Sequence, residues 1–189
     1  MKIILGSQSK SRRKIMENMG YNFESMNPNI DEKAIRFDDP KQLTLALAHA
    51  KADALLPKIS EPSLLVTSDQ VVTWNGNILE KPENEEEARK FLQGYAIYPP
   101  TTVTSIVVVN TVTMERREGI DIATVWFRTI PENIINELIS EGDILYCAGG
   151  FQVENPKLKD YIEKIEGTID SIMGLPKKMV QNFIQEIEK

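Results

Sequence analysis

Apolar positions along this chain fall into two patterns, short unbroken runs and wide helical stripes, and these alternate from one end to the other. Lys2–Leu5 is a brief apolar run closed by Gly6 and reads as a buried strand. After a small polar turn over residues 7–11, Ile15, Met16 and Met19 share one helical face from Arg12 onward, with Gly20 as the stop. Residues 21–30 have room for a second short strand. Asp39-Pro40 opens a clear helix in which Leu43, Leu45, Ala46, Leu47, Ala50, Ala54 and Leu55 form a broad stripe. A strand over 64–67 ends at Ser68-Asp69 and resumes over 71–74, and Asn75-Gly76 then predicts a tight hairpin turn into Ile78-Leu79.

Residues 84–93 read as a helix whose first turn carries Glu85, Glu86 and Glu87, favourable at its positive end. Residues 102–110 and 121–128, rich in Val, Ile, Thr, Trp and Phe, read as long strands joined by a polar connection over 111–119. A helix over 131–139 stops near Gly142, and a last one begins at Lys177 after Pro176. Strands alternating with helices, with hairpins mixed in, predict an α/β or mixed α+β protein with a mixed sheet.

Composition keeps that picture and narrows the function. With 189 residues, 41% hydrophobic and 26% charged, the chain has the make-up of one globular domain, 1–189, bilobed at most. A net charge of −6 argues against stable, nonspecific nucleic-acid binding, which depends on many cations meeting phosphates. It leaves open a small phosphorylated ligand held by a few placed cations. The single cysteine, Cys147, allows no intramolecular disulfide, and no stretch approaches the roughly 20 apolar residues of a membrane span. The opening apolar run is too short for a signal peptide and its positive charge follows it, so the expectation is a cytoplasmic protein without membrane attachment.

Candidate chemistry starts at Ser7-Gln8-Ser9-Lys10-Ser11-Arg12-Arg13, between a strand and a helix N-terminus. Free backbone N–H groups there attract phosphate, and hydroxyls and guanidinium forks can add donors; the other reading is a capped helix with an exposed basic first turn. Asp69 follows an apolar strand, either as a carboxylate projecting toward a ligand or as a turn and cap residue. Glu32 is either its companion on a divalent cation or a solvated loop charge. Lys81, held extended by Pro82, suits a phosphate ligand or plain solvent exposure, and Lys51 lies at the edge of its helix's apolar stripe, where snorkelling is the ordinary outcome. In Cys147-Ala148-Gly149-Gly150-Phe151-Gln152, Phe151 could stack on a base while Gln152 reads its edge, or the segment could be only a tight turn. His49, the one histidine, falls mid-helix and reads as structural or solvated, which removes most Ser-His and Cys-His mechanisms.

Taken in order, LGSQSKSRRKIMENMGYNF, DEKAI, LALAHAKADAL, VTSDQVV, ILEKPENEEEARKFL, CAGGFQVE and EGTIDSIMGLP resemble the signatures of the Maf family of nucleoside triphosphate pyrophosphatases over nearly the whole chain. The resemblance implies a curved mixed sheet in two lobes flanked by helices, similar to inosine triphosphate pyrophosphatases, with the active cleft between the lobes. It implies hydrolysis between the α and β phosphates of a nucleoside triphosphate, a divalent metal (Mg²⁺ or Mn²⁺) and a homodimer. Asp69 falls on the family's proton acceptor, with Glu32 beside it on the metal. Ser7, Arg12, Arg13, Lys51 and Lys81 fall on polar phosphate-site positions, Lys51 and Lys81 among the catalytic set, and Gln70 and Gln152 on positions linked to base choice. SDQ and CAGGF resemble the subgroup acting on 7-methyl-GTP more than the dTTP/UTP subgroup, although Lys10 replaces a usual proline and Gln152 stands where that subgroup often has lysine. A nucleotide-binding regulator of cell division without significant turnover is the alternative.

Overall fold

The computed structural model describes residues 1–188. Its elements, in chain order, are β1 (Lys2–Leu5), α1 (Lys10–Asn18), β2 (Phe23–Ser25), α2 (Pro40–Leu55), β3 (Ser63–Trp74), β4 (Asn77–Leu79), α3 (Glu85–Gly94), β5 (Thr101–Asn110), β6 (Arg116–Phe127), α4 (Glu132–Glu141), α5 (Pro156–Lys159), β7 (Ile162–Glu166), α6 (Ile169–Ile172) and α7 (Lys177–Ile187). Seven strands form one mixed sheet in the order β2-β1-β3-β5-β6-β7, with β4 attached to β3. Strand β1 runs parallel to both β2 and β3, whereas β4 pairs with β3 and β7 with β6 in antiparallel fashion. Among the described residues no helix is long and apolar enough to cross a membrane.

Two compact units divide the chain, one of residues 1–70, 104–121 and 173–189, the other of residues 71–103 and 122–172. In the first, the unbroken apolar runs of β1, β3 and β5 have a simple cause: helices cover both faces of those strands. Ile3 and Leu5, Leu64 and Val66, and Ile106 and Val108 turn to one side, where they pack with Ile15 and Met16 of α1 and Val180, Ile184 and Ile187 of α7. Ile4, Leu65, Val107 and Val109 turn to the other and meet Ala48, Ala52 and Leu55 of α2. The alternation of strand side chains thus assigns Leu65, Thr67 and Asp69 of β3 to the α2 side. Gly6 fits this tight layer because a Cβ there would lie 2.7 Å from both Leu55 Cδ1 and Thr67 Cγ2. Helix ends carry the expected caps: the Ser9 hydroxyl accepts from Arg12 N, the Asp39 carboxylate from Lys41 N, and Pro40 occupies the first turn.

The second unit is built around aromatic rings. Tyr95 stacks on Phe127 at 5.7 Å between centroids, and Phe151 meets both edge-on at 5.6 and 5.7 Å. Its β3–β4 hairpin turns through Asn75 and Gly76, at φ 47° and 77°, the left-handed pair that the Asn-Gly dipeptide predicts.

Several boundaries differ from the sequence reading. Strand β3 is continuous from Ser63 to Trp74, so Asp69 stands within a strand and not at its end. Strand β6 begins at Arg116, inside the stretch that reads as connection, and at its start Arg116 pairs with Asp53 at 2.6 Å and Arg117 with Glu186 at 3.2 Å. Helix α1 starts two residues before Arg12. The short elements α5, β7 and α6 have no counterpart in the sequence reading.

Candidate active site

The parity of β3 determines what its polar residues meet. Thr67 and Asp69 share the α2 side with Leu65; the Thr67 hydroxyl donates to the Ala48 carbonyl at 2.8 Å, which seats the strand against the helix. Lys51 lies three residues beyond Ala48 and four beyond Leu47 on that same buried stripe. Its Nζ donates to Asp69 Oδ1 at 2.5 Å, with both residues about 95% buried (6% and 5% exposed). The snorkelling expected from the sequence does not occur, because the ammonium finds a carboxylate inside the layer instead of solvent outside it. A 3₁₀ turn, Glu32–Ala34, capped by the Asp31 side chain, brings a second carboxylate to the same ammonium, with Glu32 Oε1 at 2.9 Å from Lys51 Nζ. Glu32 is half exposed, so one face of this three-residue cluster reaches water.

Burial raises the Asp69 carboxyl above the usual carboxylate range; the charges of Lys51 and Arg12 and the Lys51 hydrogen bond pull it down, and Glu32 adds to the rise. Desolvation is the largest influence, as expected for a carboxylate this deep.

Ser68 and Gln70 take the opposite side of β3. The Ser68 hydroxyl donates to the Gly174 carbonyl at 2.8 Å, and Gln70 Nε2 donates to Thr104 Oγ1 at 2.6 Å. Arg12, near the start of α1, reaches across the same region: Nε donates to the Gly174 carbonyl and Nη1 to the Ser68 carbonyl, both at 2.9 Å, and Nη1 approaches Ser7 Oγ at 3.5 Å. Desolvation lowers its pKa from the usual value while Asp69 and Glu32 hold it up, and the guanidinium stays charged. The strand–turn–helix of residues 2–18, the Asp69 strand and the segment around Gly174 are therefore tied together by one side chain. Arg13 takes no part in this; it is exposed, and among the described residues its side chain donates only to the Gln8 carbonyl, at 3.1 Å.

Of the residues singled out in the sequence, Ser7, Arg12, Glu32, Lys51, Asp69 and Gln70 thus converge in the first unit. Lys81 and Gln152 belong to the second. There Gly149 N donates to the Glu80 carbonyl at 2.8 Å, fastening the Lys81 segment to the 147–152 loop. Gln152 Nε2 donates to Cys147 Sγ at 3.3 Å, and burial pushes that thiol's pKa up, against the nearby charge of Lys81. Phe151 is a correction: it is 5% exposed and packed edge-on against both Tyr95 and Phe127, so it is a core residue and not a platform for a base. His49 is fixed at its helix surface by Glu118 at 2.6 Å and Arg116 at 3.1 Å, in keeping with a structural reading.

Three participants went unnoticed in the sequence. Ser68, Thr104 and Gly174 anchor Arg12 and Gln70, yet nothing local distinguishes Thr104 from the other strand threonines. Gly174 falls in the EGTIDSIMGLP stretch that the family resemblance covers, and its φ is 91°.

Asp69 and Glu32 offer the donor set that suits a hard divalent cation, two carboxylates with the remaining positions left to phosphate and water.

A family model described as Maf-like protein matches residues 2–187. A 7-methyl-GTP pyrophosphatase of Dictyostelium discoideum is 45% identical, covering 99% of this chain and 98% of that protein. A dTTP/UTP pyrophosphatase of Thermotoga petrophila is 33% identical, covering 98% and 89%. Among solved structures, the Ham1 protein of Staphylococcus aureus aligns with a TM-score of 0.46 at 12% identity, covering 68% of this chain and 72% of that one. With a family match running almost from end to end, and a relative at 45% identity over the same span, this chain belongs to the Maf-like protein family.

Proposed function

We propose that this protein is a nucleoside triphosphate pyrophosphatase, a hydrolase acting on an acid anhydride. It converts a nucleoside triphosphate and water into a nucleoside monophosphate and pyrophosphate. The observation that carries this reading is the buried Lys51–Asp69 pair with Glu32 on the same ammonium, beside the Ser7–Arg12 turn. Water attacks the α-phosphorus, an O–P bond forms, the bridge to the β-phosphate breaks, and pyrophosphate leaves. Asp69 accepts the proton that the water gives up. Lys51 holds that carboxylate in place, and the basic groups at Ser7–Arg13 offset charge on the triphosphate, Lys81 being a further phosphate-site position by the family resemblance. A divalent cation, Mg²⁺ or Mn²⁺, held by Asp69 and Glu32 would supply further charge neutralisation and a more acidic water.

The substrate preference we propose is 7-methyl-GTP or a similar noncanonical nucleotide, Gln70 and Gln152 being the positions that the family resemblance links to base choice. The relative at 45% identity carries that activity in its name, whereas the one acting on dTTP and UTP stands at 33%. In this reading the protein works as a cytoplasmic homodimer and does not bind nucleic acid stably. A panel of canonical and modified nucleoside triphosphates, assayed for pyrophosphate release at low substrate concentration with Mg²⁺ or Mn²⁺, tests it. Highest kcat/KM on 7-methyl-GTP is the expected result. Failure to release pyrophosphate from any of them, together with a nucleotide-dependent rise in melting temperature, would make the protein a nucleotide-binding regulator instead.

The pH profile follows from the burial of Asp69. Its carboxyl is raised in the folded protein, so it loses its proton-accepting form as pH falls through that raised value. The acid limb of kcat/KM is therefore expected above the ~3.9 of a free aspartate. A limb at or below that value, with the fold intact, would contradict Asp69 as the base.

A further inference from the structure

The three-residue cluster of Lys51, Asp69 and Glu32 contains more than a pair of metal-suited carboxylates. Asp69 Oδ1 and Glu32 Oε1 both address one ammonium, at 2.5 and 2.9 Å, and the Lys51 side chain is buried while Glu32 opens to water. The ammonium therefore holds the place where these two negative charges are best balanced by a cation. Arg12 adds a second positive charge that interacts with both Asp69 and Glu32. Two carboxylates balanced by the Lys51 ammonium that bonds both, and by the nearby charge of Arg12, make a cluster that is close to neutral before any ion arrives.

A bare divalent cation entering it meets like charge in a poorly screened setting and must compete with a preformed, hydrogen-bonded pair. A triphosphate changes that balance, since it brings its own negative charge and the oxygen ligands that Mg²⁺ prefers.

We infer that Lys51 is a positioning residue that keeps free metal out of the Asp69–Glu32 pair, so that the ion is admitted only together with the nucleotide. This rests on the metal-dependent reading above and adds an order of binding to it. The carboxylates pass from the ammonium to the incoming ion, and the cluster has a counter-ion in both states. The device also spares the empty protein a buried, unpaired Asp69 carboxylate, which is costly.

Mn²⁺ binding to the nucleotide-free protein, read by electron paramagnetic resonance, tests this without any turnover. Wild-type protein is expected to leave Mn²⁺ largely free, while Lys51→Met and Lys51→Gln bind it at least about tenfold more tightly. Lys51→Gln is included because its amide still donates to Asp69 where methionine leaves the carboxylate unpaired. Thermal melting with and without Mn²⁺ covers the case of an unstable variant. A variant that is unfolded alone and folds with Mn²⁺ also supports the inference, because the ion then replaces the ammonium. Tight Mn²⁺ binding by the wild type, unchanged affinity in folded variants, or variants that stay unfolded with Mn²⁺ would each overturn it. Pyrophosphate release by the wild type is scored separately. Turnover accompanied by tight binding of free Mn²⁺ would remove the binding order and leave the activity standing.

Discussion

Replacing Asp69 with asparagine is expected to lower kcat by about 10³-fold, in the range attributed to a positioned general base, while nucleotide affinity stays within a few-fold. The substitution is nearly isosteric, and the amide oxygen can still accept from Lys51 Nζ, which lies 2.5 Å from Oδ1. Lys51 also keeps its second partner, Glu32, at 2.9 Å, so the variant does not strand a buried ammonium. What disappears is the ability to take a proton and one full negative charge for the metal. Loss of a group that acts chiefly in the transition state lowers kcat and kcat/KM together and leaves binding largely alone. Melting temperature should move little, and that separates the chemical effect from unfolding. Burst-free steady-state kinetics and a nucleotide titration on the same preparation check both halves. Turnover at the wild-type rate would remove Asp69 from the chemistry.

How much of this was legible beforehand depends on where each residue's partner lies along the chain. The strands β1 and β5 and the helix α2 were readable because their signals are local: unbroken apolar runs, a capped start, a stripe of the right period. Strand β3 looked interrupted at Ser68-Asp69-Gln70 because three polar residues in a row read as a strand end. The chain continues extended because each polar group is satisfied in place by a distant partner, Gly174, Lys51 and Thr104 respectively. No local rule announces partners 18, 34 and 106 residues away. Lys51 was misjudged for a related reason: its position on the stripe was correct, but whether such a lysine extends outward or stays inside depends on what the neighbouring strand presents. The middle of β3 presents a carboxylate. Strand β7 escaped notice because its sequence, Ile-Glu-Lys-Ile-Glu, is mostly charged and exposed, as befits the last strand of the sheet order. The glycine-rich 147–152 loop looked like a ligand contact, and its most suggestive residue, Phe151, turned out to be claimed by the aromatic core. Family resemblance supplied expected roles for Glu32, Lys51 and Asp69; the geometry supplied the bonds that join them.

Arg12 provides the second large effect, this time on stability. Arg12→Ala is expected to cost about 3 kcal/mol, since the charged guanidinium makes two good hydrogen bonds to carbonyls and such bonds contribute roughly 1.5–3 kcal/mol each before any readjustment. The bonds in question, Nε to the Gly174 carbonyl and Nη1 to the Ser68 carbonyl, are each 2.9 Å long and bridge positions 162 and 56 residues apart in sequence. Gly174 keeps the Ser68 hydroxyl as a donor at 2.8 Å, which is why the expected loss is below the sum of two bonds. For a chain of this size that corresponds to a fall of roughly 6–12 °C in melting temperature. Arg12→Lys should recover little, because a compact ammonium cannot span two carbonyls as the planar fork does. Arg13→Ala is the internal control: its side chain is exposed and among the described residues makes a single bond, to the Gln8 carbonyl at 3.1 Å, so stability should change by no more than about 0.5 kcal/mol. If both arginines served only to attract phosphate, the two alanine variants would raise KM and melt alike. A clear gap in melting temperature between them is the signature of Arg12 as the strap that holds the Asp69 strand to the Gly174 segment. Equal melting of Arg12→Ala and wild type would reduce it to a ligand contact.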